Sequence, residues 1–195
     1  GLSGVDGGLL SGPRKSAVRV LEDGKKKIRR GDHSGTIESV NVDLLETMLS
    51  GGYTPVVTVP MLGAEGDGTY TAVNADADRA AAAVAGALGA DLVVLTDVSG
   101  VYADPGDEST RIDTVETAAD WDALEAAAEG FMTRKVLAAE EALSGGASSV
   151  VVATANADAP IQSALAGDGT TLLPGALDDG ADADDADADE SEVSG

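Results

Sequence analysis

An apolar run that follows an alanine-rich segment constrains the fold of this chain more than any other feature. The run, Asp91–Thr96, reads DLVVLT and is typical of a strand buried on both faces of a parallel sheet. The segment before it, Ala77–Leu88, has high helix propensity and stops at Gly89, a residue type that commonly ends helices. A helix that leads into a buried parallel strand predicts an α/β fold, with helices packed on both faces of a mainly parallel central sheet.

Two polar clusters flank this helix and strand. Asn74 and Asp76 precede the helix, whereas Thr96, Asp97 and Ser99 follow the strand. In an α/β layer this spacing can bring both loops to the same edge of the sheet, where ligands bind. A structural alternative stays open at this point, because Asn74 or Asp76 can equally cap the helix and the second cluster can form an ordinary turn.

The charge of the chain limits its partners and its setting. Among 195 residues, 35 are acidic and 12 are basic, which gives a formal net charge of −23. Such an excess destabilises a compact state through self-repulsion unless salt screens it, so we predict a halophilic protein whose surface acids mostly serve solvation. The same charge disfavours binding to nucleic acid.

Composition also restricts the core and the chemistry. Hydrophobic residues make up 43% of the chain but aromatic residues only 3%, so we expect a core of Ala, Val and Leu. Cysteine is absent, which excludes disulfides and thiolate metal sites. No segment approaches the roughly 20 apolar residues that span a bilayer, and no secretory signal is seen, so we predict a cytoplasmic protein without a membrane partner.

Most of the basic residues are concentrated near the start of the chain. Ala17–Leu21 and Lys26–Arg30 flank Asp23-Gly24, a strong tight-turn signal, and predict a β-hairpin. Within residues 14–30, eight basic side chains are opposed by only two acidic ones, a local net charge of +6. We interpret this basic island as a docking surface for an acidic partner; the alternative is a solvated face whose lysines protect a sheet edge. The island consists of Arg14, Lys15, Arg19, Lys25, Lys26, Lys27, Arg29 and Arg30.

Lys135 is the most informative basic residue outside the island. It lies near the start of a predicted helix, just after the turn at Gly130. Helix N-termini favour negative charge, so a lysine is reasonable there if an anion such as phosphate binds as well. The alternative is an exposed surface lysine. The single histidine, His33, lies in a polar turn without other histidines or cysteines nearby, so neither a zinc site nor Ser/His/Asp catalysis is supported.

Further segments give local predictions. Asn41 precedes a helical pattern that stops at Gly51, and Thr117 begins a capping-box pattern before another helix. Three runs predict strands, the first two of them buried: Tyr53–Pro60, Val150–Ala153 and Thr170–Leu173. The segment Asp178–Gly195 contains nine acids and no core-forming run, which predicts a disordered, solvating tail.

Four motifs, taken in order along the chain, resemble the amino-acid kinase superfamily and its acetylglutamate kinase family in particular. They are GLSGVDG at Gly1–Gly7, Asn74-Ala75-Asp76, TDVSGV at Thr96–Val101, and Met132-x-x-Lys135. Within that family, GLSGVDGGLL followed by a hairpin with KKKIRR is similar to the carrier-protein-dependent [LysW]-aminoadipate/[LysW]-glutamate kinases. The resemblance covers roughly residues 1–177, and any one motif alone is weak.

The resemblance implies a three-layer, carbamate kinase-like sandwich with the basic hairpin added. It implies ATP- and Mg²⁺-dependent phosphorylation of the side-chain carboxylate of glutamate or aminoadipate attached to an acidic carrier protein. The product would be an acyl phosphate in arginine or lysine biosynthesis, and family members commonly form homodimers. The implied site residues are Lys135 and Asp76 for catalysis, Asn74, Gly4 and Asp6 for substrate, and Thr96, Asp97, Val98, Ser99, Gly100, Val101 and Tyr102 for ATP. No protein ligand for a metal is implied.

The sequence departs from the family pattern at two points. Acetylglutamate kinases commonly carry an asparagine, which helps to hold the free acetylated substrate, at the position of Ala72. The family's strand ending in Lys-x-Gly-Gly has no counterpart, so we expect a kinase domain at residues 1–177 that lacks its N-terminal part. The alternatives left open are an acetylglutamate kinase acting on free N-acetylglutamate and an inactive fragment that binds the carrier.

Overall fold

The computed structural model describes residues 1–15, 17–22, 25–30 and 33–178, with residues 18–22, 25, 26, 29, 30 and 131 described by their backbone alone. The predicted hairpin turn at Asp23-Gly24 and the predicted tail from Asp179 onward lie outside these residues. The strands are β1 (Leu2–Ser3), β2 (Leu10–Pro13), β3 (Ala17–Glu22), β4 (Lys25–Arg30), β5 (Ser39–Val40), β6 (Val57–Thr58), β7 (Met61–Ala64), β8 (Tyr70–Val73), β9 (Asp91–Thr96), β10 (Thr114–Val115), β11 (Ser149–Thr154) and β12 (Thr170–Leu172). The helices are α1 (Val42–Ser50), α2 (Ala77–Leu88), α3 (Ala118–Ala127), α4 (Phe131–Ser144) and α5 (Pro160–Leu165).

The described strands form two four-stranded sheets and two strand pairs. The first sheet has the order β10-β12-β11-β9, in which only the β11–β12 pair is antiparallel. The second sheet has the order β5-β2-β7-β8 and is mixed, with β2 and β7 parallel. Strands β1 and β6 form a short parallel pair, and β3 and β4 form the predicted hairpin.

The first sheet has helices on both faces, which confirms the predicted α/β architecture. Successive residues of β9 and β11 point to opposite faces, as the pleat of a strand requires. One face packs against α2, α3 and α4 and forms with them the larger hydrophobic core, which we call the main core. The strand residues in this core are Leu92, Val94, Val150 and Val152. The opposite face packs against Ala164 of α5 through Val93, Leu95, Val151 and Ala153. These strands are therefore buried on both sides, as their continuous apolar sequence indicated.

Helix α2 is shared by two cores. Its residues Ala82 and Ala85 belong to the main core, whereas Ala80 packs in a second core beneath β2, β7 and β8. Small residues let α2 approach α4 closely, and a Cβ added to Gly86 would lie 3.0 Å from backbone atoms of Gly145. The expectation of a core of Ala, Val and Leu is confirmed across the described residues, and both cores meet at this one helix.

The local start and stop signals of the helices are confirmed. Asp76 caps α2, and Gly89 ends it with a left-handed conformation at φ 60°. Asn41 caps α1 by accepting a hydrogen bond from the Leu44 amide. Thr117 and Asp120 form a reciprocal capping box at the start of α3.

The strand predicted at Tyr53–Pro60 is present only at Val57–Thr58, and the burial predicted for the whole run is wrong. Only β6 is a strand in this segment, and it pairs with β1 alone. Tyr53 and Val56 are 66% and 64% exposed. Pro55 and Pro60 have no amide hydrogen to donate to a ladder, so the apolar run between them pairs only briefly.

Candidate active site

A cavity of about 400 Å³ opens where β9 ends and α4 begins. Its lining includes all seven residues from Thr96 to Tyr102, which the motif resemblance assigned to ATP. Lys135 and Met132 of α4 line the same cavity, together with the carboxylate residues Glu108 and Glu129. We call this the loop cavity. The structure thus brings the 96–102 loop and Lys135 together, as the sequence analysis expected for a nucleotide site.

A buried threonine from β12 determines the shape of the 96–102 loop. The Val101 amide donates a hydrogen bond of 2.8 Å to the Thr170 hydroxyl, which donates in turn to the Ile112 carbonyl at 2.6 Å. Gly100 has φ 149°, and a Cβ at this position would lie 2.7 Å from the same hydroxyl oxygen. The loop therefore requires glycine at position 100 for both conformation and space.

A second cavity of about 380 Å³ lies at the start of α2, and we call it the helix cavity. It is lined by Asn74 and Asp76, as well as by Arg79 of α2 and Lys15 of the basic island. The backbone of Asn74 is held by the neighbouring segment, since its amide donates to the His33 carbonyl at 2.7 Å. The two polar clusters that flank α2 and β9 in sequence therefore line two different cavities.

Lys135 connects α4 to the start of α2. Its ammonium nitrogen lies 3.2 and 3.4 Å from the two carboxylate oxygens of Asp78, and its side chain is only 17% exposed. Asp76, which the resemblance expected to orient lysines, instead accepts hydrogen bonds from the Asp78 and Arg79 amides at 3.0 and 3.2 Å. The capping role that the sequence left open for Asp76 is therefore observed, and the carboxylate that contacts Lys135 is Asp78.

A second ion pair joins the same two helices. Arg79 of α2 donates a hydrogen bond of 2.7 Å from Nε to Glu141 of α4, and its Nη2 contacts the other carboxylate oxygen. This hydrogen bond raises the pKa of Arg79 above its usual value, although partial burial opposes the shift. The two pairs, Asp78–Lys135 and Arg79–Glu141, hold the start of α2 against α4.

Gly4 and Asp6, predicted to bind substrate, line neither of these two cavities. Gly4 is buried, and a Cβ there would lie 2.4 Å from the Pro60 carbonyl oxygen. The Asp6 carboxylate accepts a hydrogen bond of 2.8 Å from the Ser3 amide. Both contacts stabilise the first loop, and the substrate roles of these residues stay predictions.

The basic island begins beside the helix cavity and continues into the hairpin. Lys15 is exposed and lines the cavity, whereas Arg14 is ion-paired with Glu65. In the hairpin, Ala17 pairs with Arg30 and Glu22 pairs with Lys25, so four residue pairs lie between them in register. Lys27 is exposed, and the side chains of Arg19, Lys25, Lys26, Arg29 and Arg30 are not described. The docking role of the island stays a prediction.

Sequence reasoning missed Asp78, Arg79 and Glu141. The available signal was weak, because Asp78 and Arg79 follow the Asn-Ala-Asp motif after a single alanine but resemble many other charged residues of this acidic chain. Within the described residues, no group of three or more His, Cys, Asp or Glu side chains is arranged to hold a metal ion. No helix of the described chain is long and apolar enough to cross a membrane.

The chain resembles known proteins over most of its length. Residues 2–154 match the sequence profile of the amino acid kinase family. The chain belongs to the amino acid kinase family. The chain is 45% identical over 175 residues to a [LysW]-aminoadipate kinase from Thermus thermophilus, a match that covers 88% of the chain and 63% of that protein. An acetylglutamate kinase from Methanopyrus kandleri is 44% identical over 155 residues, covering 78% of the chain and 59% of that protein.

The fold of this member of the amino acid kinase family also matches a solved structure. An N-acetylglutamate synthase from Neisseria gonorrhoeae, solved with coenzyme A and L-arginine, superposes with a TM-score of 0.61 at 27% identity. The superposition covers 85% of this chain and 38% of the synthase. The chain spans about three fifths of the length of the two kinases it matches, at 63% and 59%.

Proposed function

We propose that this protein transfers the terminal phosphoryl group of ATP to a side-chain carboxylate of glutamate or aminoadipate, while that amino acid is attached to an acidic carrier protein. The single observation that carries the proposal is the position of Lys135. Its side chain lines the loop cavity and is ion-paired with Asp78, whose helix begins at the helix cavity. A lysine between a donor cavity and an acceptor cavity suits phosphoryl transfer, because charge neutralisation and positioning dominate that chemistry.

The loop cavity is the proposed nucleotide site. Its volume of about 400 Å³ falls within the roughly 300–1,000 Å³ that is usual for small-ligand sites. Magnesium usually binds through one or two carboxylates plus substrate phosphates, so one of the lining carboxylates, among Asp97, Glu108 and Glu129, would hold it together with the nucleotide. When bound, Mg²⁺ would neutralise part of the negative charge of the phosphates. Lys135, which lines the same cavity, supplies a second positive charge from the protein.

The helix cavity is the proposed acceptor site. Asn74 lines it with donor and acceptor groups, and Lys15 adds a positive charge that favours a carboxylate substrate, whereas the charge of Arg79 is paired with Glu141 and Asp76 contributes a negative charge to the lining. A glutamate-type carboxylate has an unperturbed pKa of about 4.3, so it is already ionised at neutral pH and needs no general base. This accords with the position of His33, an exposed residue that lines neither cavity.

The basic island supports the carrier part of the proposal. Lys15 belongs both to the island and to the lining of the helix cavity, and the hairpin begins two residues later. A carrier of opposite charge that docks on the hairpin would therefore bring its attached amino acid to the cavity entrance. The similarity to a [LysW]-aminoadipate kinase supports the same reading. We propose further that the protein is cytoplasmic and acts as a homodimer. Sedimentation at the salt concentration used for the activity assay would test the dimer.

The alternative activity is phosphorylation of free N-acetylglutamate. Similarity to an acetylglutamate kinase favours it. Ala72 argues against it, because this residue is an exposed alanine of β8 at the position where acetylglutamate kinases commonly have an asparagine. The two activities differ in their acceptor and share the nucleotide site.

The test measures ADP release by the full-length protein and traps the acyl phosphate with hydroxylamine. Carrier loaded with glutamate or aminoadipate is compared with free N-acetylglutamate as the acceptor. We expect turnover with at least one loaded carrier and little with the free substrate. Turnover of only free N-acetylglutamate would exclude a carrier-bound substrate.

The role of Lys135 is tested with a neighbouring control. Lys135→Ala is expected to lower kcat by at least about a hundredfold, since a main cation at the transferring group is lost. Arg134→Ala removes the same charge from the same helical turn, but Arg134 is exposed and outside the loop cavity, so its activity should be retained. An unchanged rate in Lys135→Ala would exclude the mechanism.

A further inference from the structure

A third cavity of about 200 Å³ adjoins the helix cavity, and we call it the side cavity. It is lined by Ile37, Arg79, Ala83 and Glu141. Ile37 and Arg79 line the helix cavity as well, so these two residues form the partition between the two spaces. Removing part of this partition would add room on one side of the proposed acceptor site.

Both residues of the partition are held by contacts with other elements. Arg79 donates a hydrogen bond of 2.7 Å from Nε to Glu141, which holds its guanidinium against α4. On either side of Ile37, the amides of Thr36 and Glu38 donate to carbonyl oxygens of β2 at 3.2 and 2.9 Å. The Ile37 side chain is half-buried and packs against the second core. The partition is therefore part of the folded framework.

Ile37 is the apolar part of this partition. Among the described residues that line the helix cavity, it is the one apolar side chain larger than alanine. Shortening Arg79 would break its ion pair with Glu141, whereas shortening Ile37 removes no charge and no side-chain hydrogen bond. Ile37 is therefore the residue of the lining that can restrict the aliphatic chain of an acceptor by size alone.

Glutamate and aminoadipate differ by one methylene group between the reacting carboxylate and the amino group that is attached to the carrier. In the proposed reaction both ends of this chain are constrained, because the carboxylate must reach the phosphoryl group while the amide stays on the docked carrier. The longer chain must therefore bow sideways, which requires lateral room. Apolar pockets distinguish substrates that differ by one methylene by about 10- to 200-fold.

We propose that Ile37 makes the helix cavity selective for glutamate over aminoadipate, an inference that rests on the proposed kinase function. The isoleucine occupies the lateral room that the additional methylene of aminoadipate needs. A smaller residue at this position would join the helix cavity to the side cavity, whose volumes are about 380 and 200 Å³, and would admit the longer chain.

The test compares Ile37→Ala, Ile37→Val and Val40→Ala in the full-length protein. Val40 is a matched control, because it is a half-buried residue that packs against the same core but lines neither the helix cavity nor the side cavity. For each protein, kcat/KM is measured separately with glutamate-loaded and aminoadipate-loaded carrier, together with the midpoint of thermal unfolding. The ratio of the two kcat/KM values reports selectivity, since a general loss of structure lowers both values alike.

We expect the unaltered protein to favour the glutamate-loaded carrier by about tenfold or more. Ile37→Ala should lower this ratio by about fivefold or more, mainly by raising kcat/KM for the aminoadipate-loaded carrier. Ile37→Val should lower the ratio less, because it removes a single methyl group, and it tests the direction of the change even if Ile37→Ala does not fold. Val40→Ala should leave the ratio unchanged.

The possible failures of the inference and of the kinase proposal differ. An unaltered protein that uses both loaded carriers equally well or prefers aminoadipate, or an unchanged ratio in the Ile37 variants, would overturn the role of Ile37 alone. Absence of turnover with both loaded carriers in the unaltered protein would overturn the proposed carrier-dependent function, and this inference with it.

Discussion

The buried hydroxyl of Thr170 accepts a hydrogen bond of 2.8 Å from the Val101 amide. The same hydroxyl donates to the Ile112 carbonyl at 2.6 Å, and Thr170 is the one polar residue found fully buried in the described part of the chain. One side chain of β12 therefore satisfies two backbone groups beside the loop cavity. The shape of the 96–102 loop depends on a residue about 70 positions later in the sequence.

Thr170→Val should destabilise the protein by about 1–3 kcal/mol, because a valine of similar shape leaves the buried Val101 amide and the part-buried Ile112 carbonyl without partners. Urea unfolding followed by fluorescence of Trp121, the single tryptophan, measures the change. Thr171→Val is the matched control on the same strand, since no hydrogen bond of the Thr171 side chain is found among the described residues. Equal unfolding free energies for the two variants would contradict the prediction.

Gly100→Ala should weaken nucleotide binding and cost roughly 1–3 kcal/mol of stability, because alanine rarely adopts positive φ in this region. The added methyl would also lie 2.7 Å from the Thr170 hydroxyl oxygen, which displaces the loop. Titration calorimetry with ADP and urea unfolding report the two effects. Gly106→Ala is the control, as its nearest neighbour is a side-chain oxygen at 3.3 Å and its φ is not positive. Wild-type ADP affinity in Gly100→Ala would exclude the loop as the nucleotide site.

The helix–strand unit from Ala77 to Thr96 could be predicted from sequence because every local signal agrees. Helix propensity, the Asp76 cap, the Gly89 end and a continuous apolar strand all indicate the same structure. The proximity of Lys135 to the 96–102 loop could also be predicted, but only because the four motifs occur in the order typical of the amino acid kinase family. Agreement among local sequence signals was sufficient to predict the helix–strand unit, and the order of the motifs was sufficient to predict that Lys135 lies near the 96–102 loop.

The partner of Lys135 could not be predicted, because it depends on how two helices pack. Asp76 and Asp78 are both acids of one helical turn, and sequence alone does not show which one α4 approaches. The exposure of Tyr53 and Val56 was missed for a related reason. A run of apolar residues indicates a strand, but its burial depends on the elements packed against it, which lie elsewhere in the chain.

Asp120→Asn should destabilise the protein at neutral pH and have little effect in acid. Hydrogen bonds from the Thr117 hydroxyl, and then from the Glu116 and Thr117 amides, lower the pKa of Asp120. A lowered folded pKa contributes stability above the unfolded value of about 3.9, and this contribution is lost as pH falls through the folded value. Urea unfolding at a series of pH values should therefore show the variant and the unaltered protein converging in acid. Asp122→Asn on the same helix is the control, and a difference that persists unchanged in acid would contradict this assignment.

Reversing charge in the basic island should weaken use of the loaded carrier. Lys26→Glu combined with Lys27→Glu is expected to raise the KM for the carrier by tenfold or more at about 0.1 M salt, with the KM for ATP unchanged. Raising the salt should shrink the difference, because exposed charges are screened beyond about 3 Å at 1 M. Arg134→Glu is the control for a charge reversal outside the island. A parallel rise in both KM values would indicate a general loss of structure instead of lost docking.

Salt should stabilise the protein as a whole. A net charge of −23 on 195 residues produces self-repulsion, and the Debye length falls from about 10 Å at 0.1 M to about 3 Å at 1 M salt. The midpoint of thermal unfolding should therefore rise between 0.1 and 2 M KCl. Sucrose at equal osmolarity is the control, because it favours compact states by exclusion from the surface without screening charge. An equal rise of the unfolding midpoint in sucrose, or no rise in KCl, would show that repulsion between acidic residues does not limit stability. The composition would then no longer support a halophilic protein.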